Sequence, residues 1–230
     1  MIPRLLVDTA DIPGSAPGDG GQLKLFRRGE EFSIMLGGNE LMNSRLSGSE
    51  EALAAFACER LGNASGVHML IGGLGMGFTL RAALDLLPTD AKVSVAELVP
   101  AVIAWARGPM AQIFGNSLTD PRTNIREGDV GAIIKESPGR YDAILLDVDN
   151  GPDGLTRASN DWLYSAGGLD SARRALRRGG VMLIWSAGPS VAFTRRLTDA
   201  GFRVEEKVVR AARSGKGARH VIWVAQRPDL

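Results

Sequence analysis

The sequence predicts an α/β domain built on a doubly wound, mostly parallel seven-stranded sheet, with a small N-terminal β-hairpin in front of it. Three observations lead there. From about residue 47 onward, short apolar runs alternate with helix-spaced apolar runs, the rhythm of repeated βαβ units. The first apolar run, in VHMLIGGLGMGFTL, empties into four glycines within six residues, Gly72, Gly73, Gly75 and Gly77, as a tight strand-to-helix turn does. The last two apolar runs flank AARSGKGAR, which leaves no room for a helix, so they should form an antiparallel hairpin at the sheet edge.

The elements follow in order. Residues 1–46 make a short leader and hairpin. Within them, residues 8–22 are rich in Gly, Pro and Asp and read as irregular. Residues 23–26 and 32–36 are strand-like, punctuated by Arg28-Gly29 and Gly37-Gly38. Residues 47–230 make the α/β domain. Its first helix lies in SGSEEALAAFACERLG. Ser47-x-x-Glu50 has the spacing of a capping box, Leu53, Phe56, Ala57 and Leu61 share one face, and Gly62 ends the helix. Strand-like runs occupy residues 67–71, 92–96, 123–126, 143–146, 181–186, 203–209 and 221–225. Helices begin near Gly75, Pro100, Asp129, Asp161 and Ser190, and Pro100 suits a first turn because its missing N–H is not needed there. Helices between parallel strands cover both faces of the sheet.

Composition bounds the function. A chain of 230 residues, 44% hydrophobic, can bury an ordinary core. A net charge of +1 supplies no drive toward nucleic acid or anionic membrane. The single cysteine, Cys58, excludes an intrachain disulfide and sits in the apolar pattern of EALAAFACERL, as a buried structural thiol would. MIPRLLVDTADIPGS has too short an apolar run for a signal peptide, and no run approaches a membrane span. A cytoplasmic protein acting on a small molecule is expected. His68 and His220 lie far apart without a neighbouring cysteine, so no metal site is expected. The basic RAARSGKGARH reads as a solvated hairpin tip.

In an open α/β sheet, ligands bind beyond the carboxyl ends of the strands, where strand order reverses. The glycine loop sits at one such end, and missing Cβ atoms let backbone approach a ligand. A tight turn alone explains it equally well. Glu97 closes KVSVAE, twenty residues after Gly77. A carboxylate there can accept from both ribose hydroxyls, as in dinucleotide sites, which leaves NAD open. Asp129, closing NIREGD, can accept from an adenine amine or cap the next helix. Asp147 and Asp149 end the run YDAILLDVD. Four successive strands thus deliver Gly, Glu, Asp and Asp to one edge.

These stretches resemble the S-adenosylmethionine-dependent methyltransferase fold (class I, Rossmann-like), and within it the spermidine synthase-like, or polyamine aminopropyltransferase, branch. The resemblance rests on IGGLGMG followed by VSVAELVPAVIAWA, on DPRTNIREGD, on YDAILLD and on SARRALRRGGVMLIW, and covers about residues 40–227. It implies that Gly72, Gly73, Gly75 and Gly77 line the methionine and sulfonium part of the cofactor. It puts Glu97 on the ribose, Asp129 and Val130 on the adenine, Asp147 at the reaction centre, and Asp149 and Asn150 on the substrate side. In this branch the region of Trp162 and Tyr164 closes over the substrate; core packing of Trp162 is the other reading. The branch also associates through its N-terminal region, so a homodimer is expected.

The departures are specific. The branch carries an Asp in the glycine loop, where this chain has Leu74-Gly75-Met76. It carries an Asp where this chain has Asn150, often another at Val99, a Tyr-His pair absent from SEEALAAFACERL, and a longer N-terminal β-domain. The expectation is therefore a transferase that binds S-adenosylmethionine or decarboxylated S-adenosylmethionine, of methyltransferase type with a diverged acceptor site. A true aminopropyltransferase and a non-catalytic ligand-binding or dimerisation domain are the alternatives. NAD binding leaves the GD and YDAILLD segments unexplained.

Overall fold

A computed structural model describes residues 2–15, 21–148, 151–152 and 158–229, with no side-chain environment given for 158–160. The N-terminal segment is more than a hairpin. Four antiparallel strands follow chain order, β1 (Leu5–Asp11), β2 (Gln22–Arg28), β3 (Glu31–Leu36) and β4 (Asn39–Asn43). β1 and β4 correct the sequence expectation, which assigned part of β1 to an irregular leader. β1 is exposed along almost its whole length, so it has no apolar alternation to betray it. Its order comes from pairing with β2, Leu6 opposite Phe26 and Asp8 opposite Leu25, across a bulge. On β2 and β3, Leu23, Leu25, Phe32 and Ile34 are buried and join the core of the main domain. Trp105 Nε1 also donates to Asp8 Oδ2 at 2.6 Å, tying β1 to that domain.

The main sheet has the expected seven strands. β5 (His68–Gly72), β6 (Lys92–Glu97), β7 (Thr123–Glu127), β8 (Tyr141–Leu146) and β9 (Leu176–Ser186) are parallel, and β10 (Arg203–Arg210) and β11 (Arg219–Gln226) complete the order β10-β11-β9-β8-β5-β6-β7. β11 runs antiparallel to both neighbours, so of the final hairpin only β10 stands at a sheet edge, β7 forming the other. Successive residues of each strand enter different cores. Met69, Ile71, Val93, Val95, Ala143 and Leu145 belong to one cluster, and Leu70, Ala96, Ile144 and Leu146 to the other. That is the period-two pattern of a sheet covered on both faces.

The helices are α1 (Gly48–Leu61), α2 (Phe78–Leu86), α3 (Pro100–Arg107), α4 (Ala111–Phe114), α5 (Val130–Lys135), α6 (Ala158–Tyr164), α7 (Ala166–Ala175) and α8 (Val191–Asp199). The single helix expected from Asp161 is two. Ser165 interrupts it, and its Oγ accepts from Gly168 N to cap α7. Trp162 remains 38% exposed and leans on Gly131, whereas Tyr164 is buried against Phe193. Among the described residues no helix is long and apolar enough to cross a membrane.

The start of α1 departs from the expected capping box. Ser47 stands at the N-cap but makes no side-chain cap bond. The first helical donor is satisfied from elsewhere, since Gly48 N donates to Ala211 O at 2.8 Å. Arg213 clasps the Glu51 carboxylate in a forked pair, and His220 Nδ1 meets Ser49 Oγ at 3.0 Å. The β10–β11 hairpin tip, expected to be merely solvated, therefore clamps α1. Glu50, between these clamped residues, turns toward the sheet and lines a cavity there.

Candidate functional site

The chain runs from β5 outward through β6 to β7, then returns to β8 beside β5 and continues toward β9. Strand order therefore reverses between β5 and β8. At the carboxyl ends of β5 to β8 lie two adjoining cavities that share Leu41, Met42, Gly75, Asp147 and Val148. The larger reaches from the glycine loop across the tips of β6 and β7. Its walls include Gly73, Gly75, Glu97, Gly128, Asp129 and Val130, and the N-terminal sheet closes it with Ile12, Leu23 and Ile34. The smaller is lined by Glu50, Gly75, Gly77, Asp147 and Trp185 among others.

The glycine loop owes its composition partly to packing. A Cβ on Gly73 would overlap the Asp147 carbonyl oxygen, and one on Gly77 would enter the Phe114 ring. Gly73 thus brings the β5 and β8 tips together, and Gly77 is explained by its helix-side neighbour. Gly72 meets Val130, Val148 and Leu146 in the same way. Gly75 faces both cavities with φ near +50°, and Met42 Sδ lies 3.1 Å from where its Cβ would stand. Met42 fills the space that an acid at this position would occupy.

Glu97 is 8% exposed. Its Oε2 accepts from Leu74 N at 3.0 Å and its Oε1 from Val99 N at 2.8 Å. Burial pushes its carboxyl up, and these backbone N–H groups, with those of Gly75 and Leu98, pull it back. It does more than the sequence reading assigned, because it also pins the glycine loop to β6. Val99, one of the departures, serves this arrangement through its backbone. Asp129 caps α5, Oδ1 accepting from Ala132 N at 2.8 Å. The cap reading of Asp129 thus holds in the same side chain that lines the cavity.

Asp147 sits where β8 ends. Its Oδ2 accepts from Thr79 Oγ1 at 3.0 Å. Burial first, and then the negative charge of Glu50, raise its carboxyl to about 7. Glu50 is likewise raised by burial, against a hydrogen bond from Ser49 Oγ at 2.7 Å. Thr79 Oγ1 also lies 3.4 Å from the Glu50 carbonyl. Glu50 is the site residue that sequence reasoning missed, having assigned it to a helix cap. The signal that pointed the other way was its place in SEEALAAF, one position before the Glu51 that Arg213 holds. Asp149 and Asn150, the expected substrate-side residues, lie outside the described residues, as does Asp153. His68, by contrast, is structural, stacked edge-on to Tyr141 and hydrogen-bonded to Ser94. Cys58 is half-buried, and burial lifts its thiol to about 11, which makes it a poor nucleophile.

Fold and site together define a class, the class I methyltransferase-like α/β fold with a cleft at its switch point and an acidic cavity beside it. In sequence the chain is similar to polyamine aminopropyltransferases, and in fold to spermidine synthases. No protein-family model matches it. It is 33% identical over 129 residues to polyamine aminopropyltransferase 1 of Streptomyces coelicolor, which is 54% of this chain and 23% of that protein. It is 29% identical over 123 residues to a polyamine aminopropyltransferase of Sulfolobus acidocaldarius, 54% of this chain and 39% of that protein. The matched stretch thus spans well under half the length of either relative. Among solved structures, spermidine synthase from Thermotoga maritima superposes with a TM-score of 0.73 at 19% identity, covering 96% of this chain and 74% of that one. A spermidine synthase in complex with the transition-state analogue AdoDATO gives 0.72 at 19% identity, covering 96% and 73%. These relatives are named for aminopropyl transfer, not for the methyl transfer that headed the sequence expectation.

Proposed function

We propose that this chain transfers an aminopropyl group from decarboxylated S-adenosylmethionine to an amine. The observation that carries the reading is the pair of adjoining cavities. One holds Glu97 and Asp129; the other holds Glu50, with Asp147 on the wall that the two share. The names of the similar proteins support the same reaction. In this reading Glu97 accepts from the ribose with the lone pairs that its backbone bonds leave over. Asp129 and Val130 meet the adenine, and Gly72, Gly73, Gly75 and Gly77 let the sulfonium end approach bare backbone. Asp149 and Asn150, next along the chain from the reaction centre, are assigned to the acceptor.

The sulfonium supplies a carbon already activated for displacement, so the protein's work is alignment, exclusion of water and removal of a proton. The acceptor arrives as an ammonium. Asp147, with a carboxyl near 7, is suited to take that proton at neutral pH. The amine nitrogen then forms its new bond to the carbon as the carbon–sulfur bond breaks, and methylthioadenosine leaves. The test is incubation with decarboxylated S-adenosylmethionine and a panel of diamines, with mass spectrometry of the products. Aminopropylated amine and methylthioadenosine in equal amounts support the reading. Methylated product with S-adenosylmethionine instead replaces it with methyl transfer. The same proposal includes a homodimer and a cytoplasmic setting. β1 presents exposed Leu5 and Leu6 on an edge strand, a surface suited to a second copy. Sedimentation equilibrium should find twice the 24.4 kDa chain mass.

A further inference from the structure

The smaller cavity is acidic without relief. Its two ionisable lining groups among the described residues are Glu50 and Asp147. His220, edge-on to Trp185 and bonded to Ser49, is pushed toward its neutral form by burial, and the arginines beside α1 are engaged outside the cavity. Arg213 is held by Glu51, and Arg81 donates to the Ile113 carbonyl at 2.7 Å. Both arginines line a separate surface groove with Glu51. The glycine loop contributes no charge here, and Met42 packs over Gly75 where a side chain would project. Glu50 therefore brings from α1 a carboxylate that the loop does not supply, while the hairpin clamp on Gly48, Ser49 and Glu51 sets its direction.

We infer that Glu50 is the residue by which this chain selects the tail of its sulfonium nucleoside, accepting a tail that ends in an ammonium alone and rejecting one that also carries a carboxylate. The inference rests on the proposed function and goes beyond it, because it assigns the choice to one side chain on α1. With the adenosine end fixed in the larger cavity near Glu97 and Asp129, the sulfonium falls at the shared wall of Met42, Gly75 and Asp147. A three-carbon tail continues into the smaller cavity, toward Glu50. An ammonium there lets the two crowded carboxyls carry their charge together. The carboxylate of S-adenosylmethionine would add a further acid group with no counter-charge on the walls. Where two ligands share most of their contacts, an unpaired charge placed against the wrong one separates their affinities.

Calorimetric titration of three ligands separates the ideas: methylthioadenosine, which has no charged tail, decarboxylated S-adenosylmethionine, and S-adenosylmethionine. Wild type should prefer the decarboxylated form over S-adenosylmethionine by about 10–100-fold, the effect of one unrelieved charge in a partly solvated pocket. Glu50→Gln should bind methylthioadenosine within about twofold of wild type while most of that preference disappears. Glu50→Ala, checked for folding by circular dichroism, should behave likewise and guards against a packing effect particular to glutamine. An unchanged preference in both variants overturns the assignment to Glu50 while leaving the proposed function standing. Failure of wild type to bind methylthioadenosine overturns the proposed function and this inference together.

Discussion

Glu97 and Asp147 are carboxylates at the tips of the two strands that flank β5, the first buried and the second half-buried, and they are held in different ways. Glu97 closes β6 and is ringed by backbone N–H donors from Leu74, Gly75, Leu98 and Val99. Asp147 follows β8 and has a single hydroxyl, that of Thr79, with the like charge of Glu50 opposing it. Backbone donors stabilise a buried anion without moving; a lone hydroxyl beside a second acid does not. The contrast teaches that position at a strand tip does not decide a carboxylate's role. Burial raises both carboxyls; at Glu97 the backbone N–H groups oppose the rise, whereas at Asp147 the charge of Glu50 adds to it.

The largest effect should come from breaking the Glu97 end. Glu97→Ala orphans two buried backbone donors as well as losing the ligand contacts. It should cost roughly 2–4 kcal/mol of methylthioadenosine binding and a comparable amount of stability. Calorimetry and denaturant unfolding measure the two losses separately. Binding lost with stability intact would mean that the loop does not depend on Glu97.

At the other end, Asp147→Asn removes the proton acceptor. Aminopropyl transfer should fall by about 100-fold or more, while methylthioadenosine affinity changes little. An equally active variant would take Asp147 out of the reaction.

The same variant should sharpen the comparison through stability. The Asp147 carboxyl is raised from 3.8 to about 7. When pH is below 3.8 both folded and unfolded chains carry the proton, and the site imposes no penalty. As pH rises toward 7 the unfolded chain ionises first, so native stability falls, and the loss is complete once the folded carboxyl also ionises. Asparagine never ionises. Asp147→Asn should therefore unfold at higher temperature than wild type, with a larger gain at about pH 8 than at about pH 5. No such trend is expected of an asparagine at a well-paired carboxylate. Thermal scans across that range decide the point.

The smallest effect should come from Arg213→Ala. Its pair with Glu51 is largely exposed, so the stability cost should be under about 1 kcal/mol. It should leave methylthioadenosine binding unchanged and weaken only the preference that Glu50 confers, because it loosens the clamp at the acidic end. Equal losses for all three ligands would show that the two ends are not separable.

Much of this architecture was legible in the chain itself. The seven main strands and the order Gly, Glu, Asp, Asp along one edge follow from local periodicity and turn residues, and residues 73–77, Glu97, Asp129 and Asp147 line the two cavities, while Gly72 packs behind them. Leu5–Asp11 was not legible, because an exposed edge strand has no apolar alternation and takes its order from a partner strand. Ser47-x-x-Glu50 was misleading for a related reason. A capping box assumes that the helix must satisfy its own first donors, and here a hairpin far along the sequence satisfies one and grips the neighbouring side chains.

The sequence by itself thus determined the alternation of strands and helices, the turn that glycine permits after β5, and which acids reach the carboxyl edge. Those are properties of neighbours a few residues apart, where spacing and backbone sterics act directly. Only the tertiary structure decided that Glu97 is ringed by amides, that Glu50 faces Asp147, and that Asp147 holds its proton to about 7. A carboxylate's charge depends on burial and on which dipoles and charges surround it in space, and α1, the β10–β11 hairpin and the β8 tip meet only when the chain has folded.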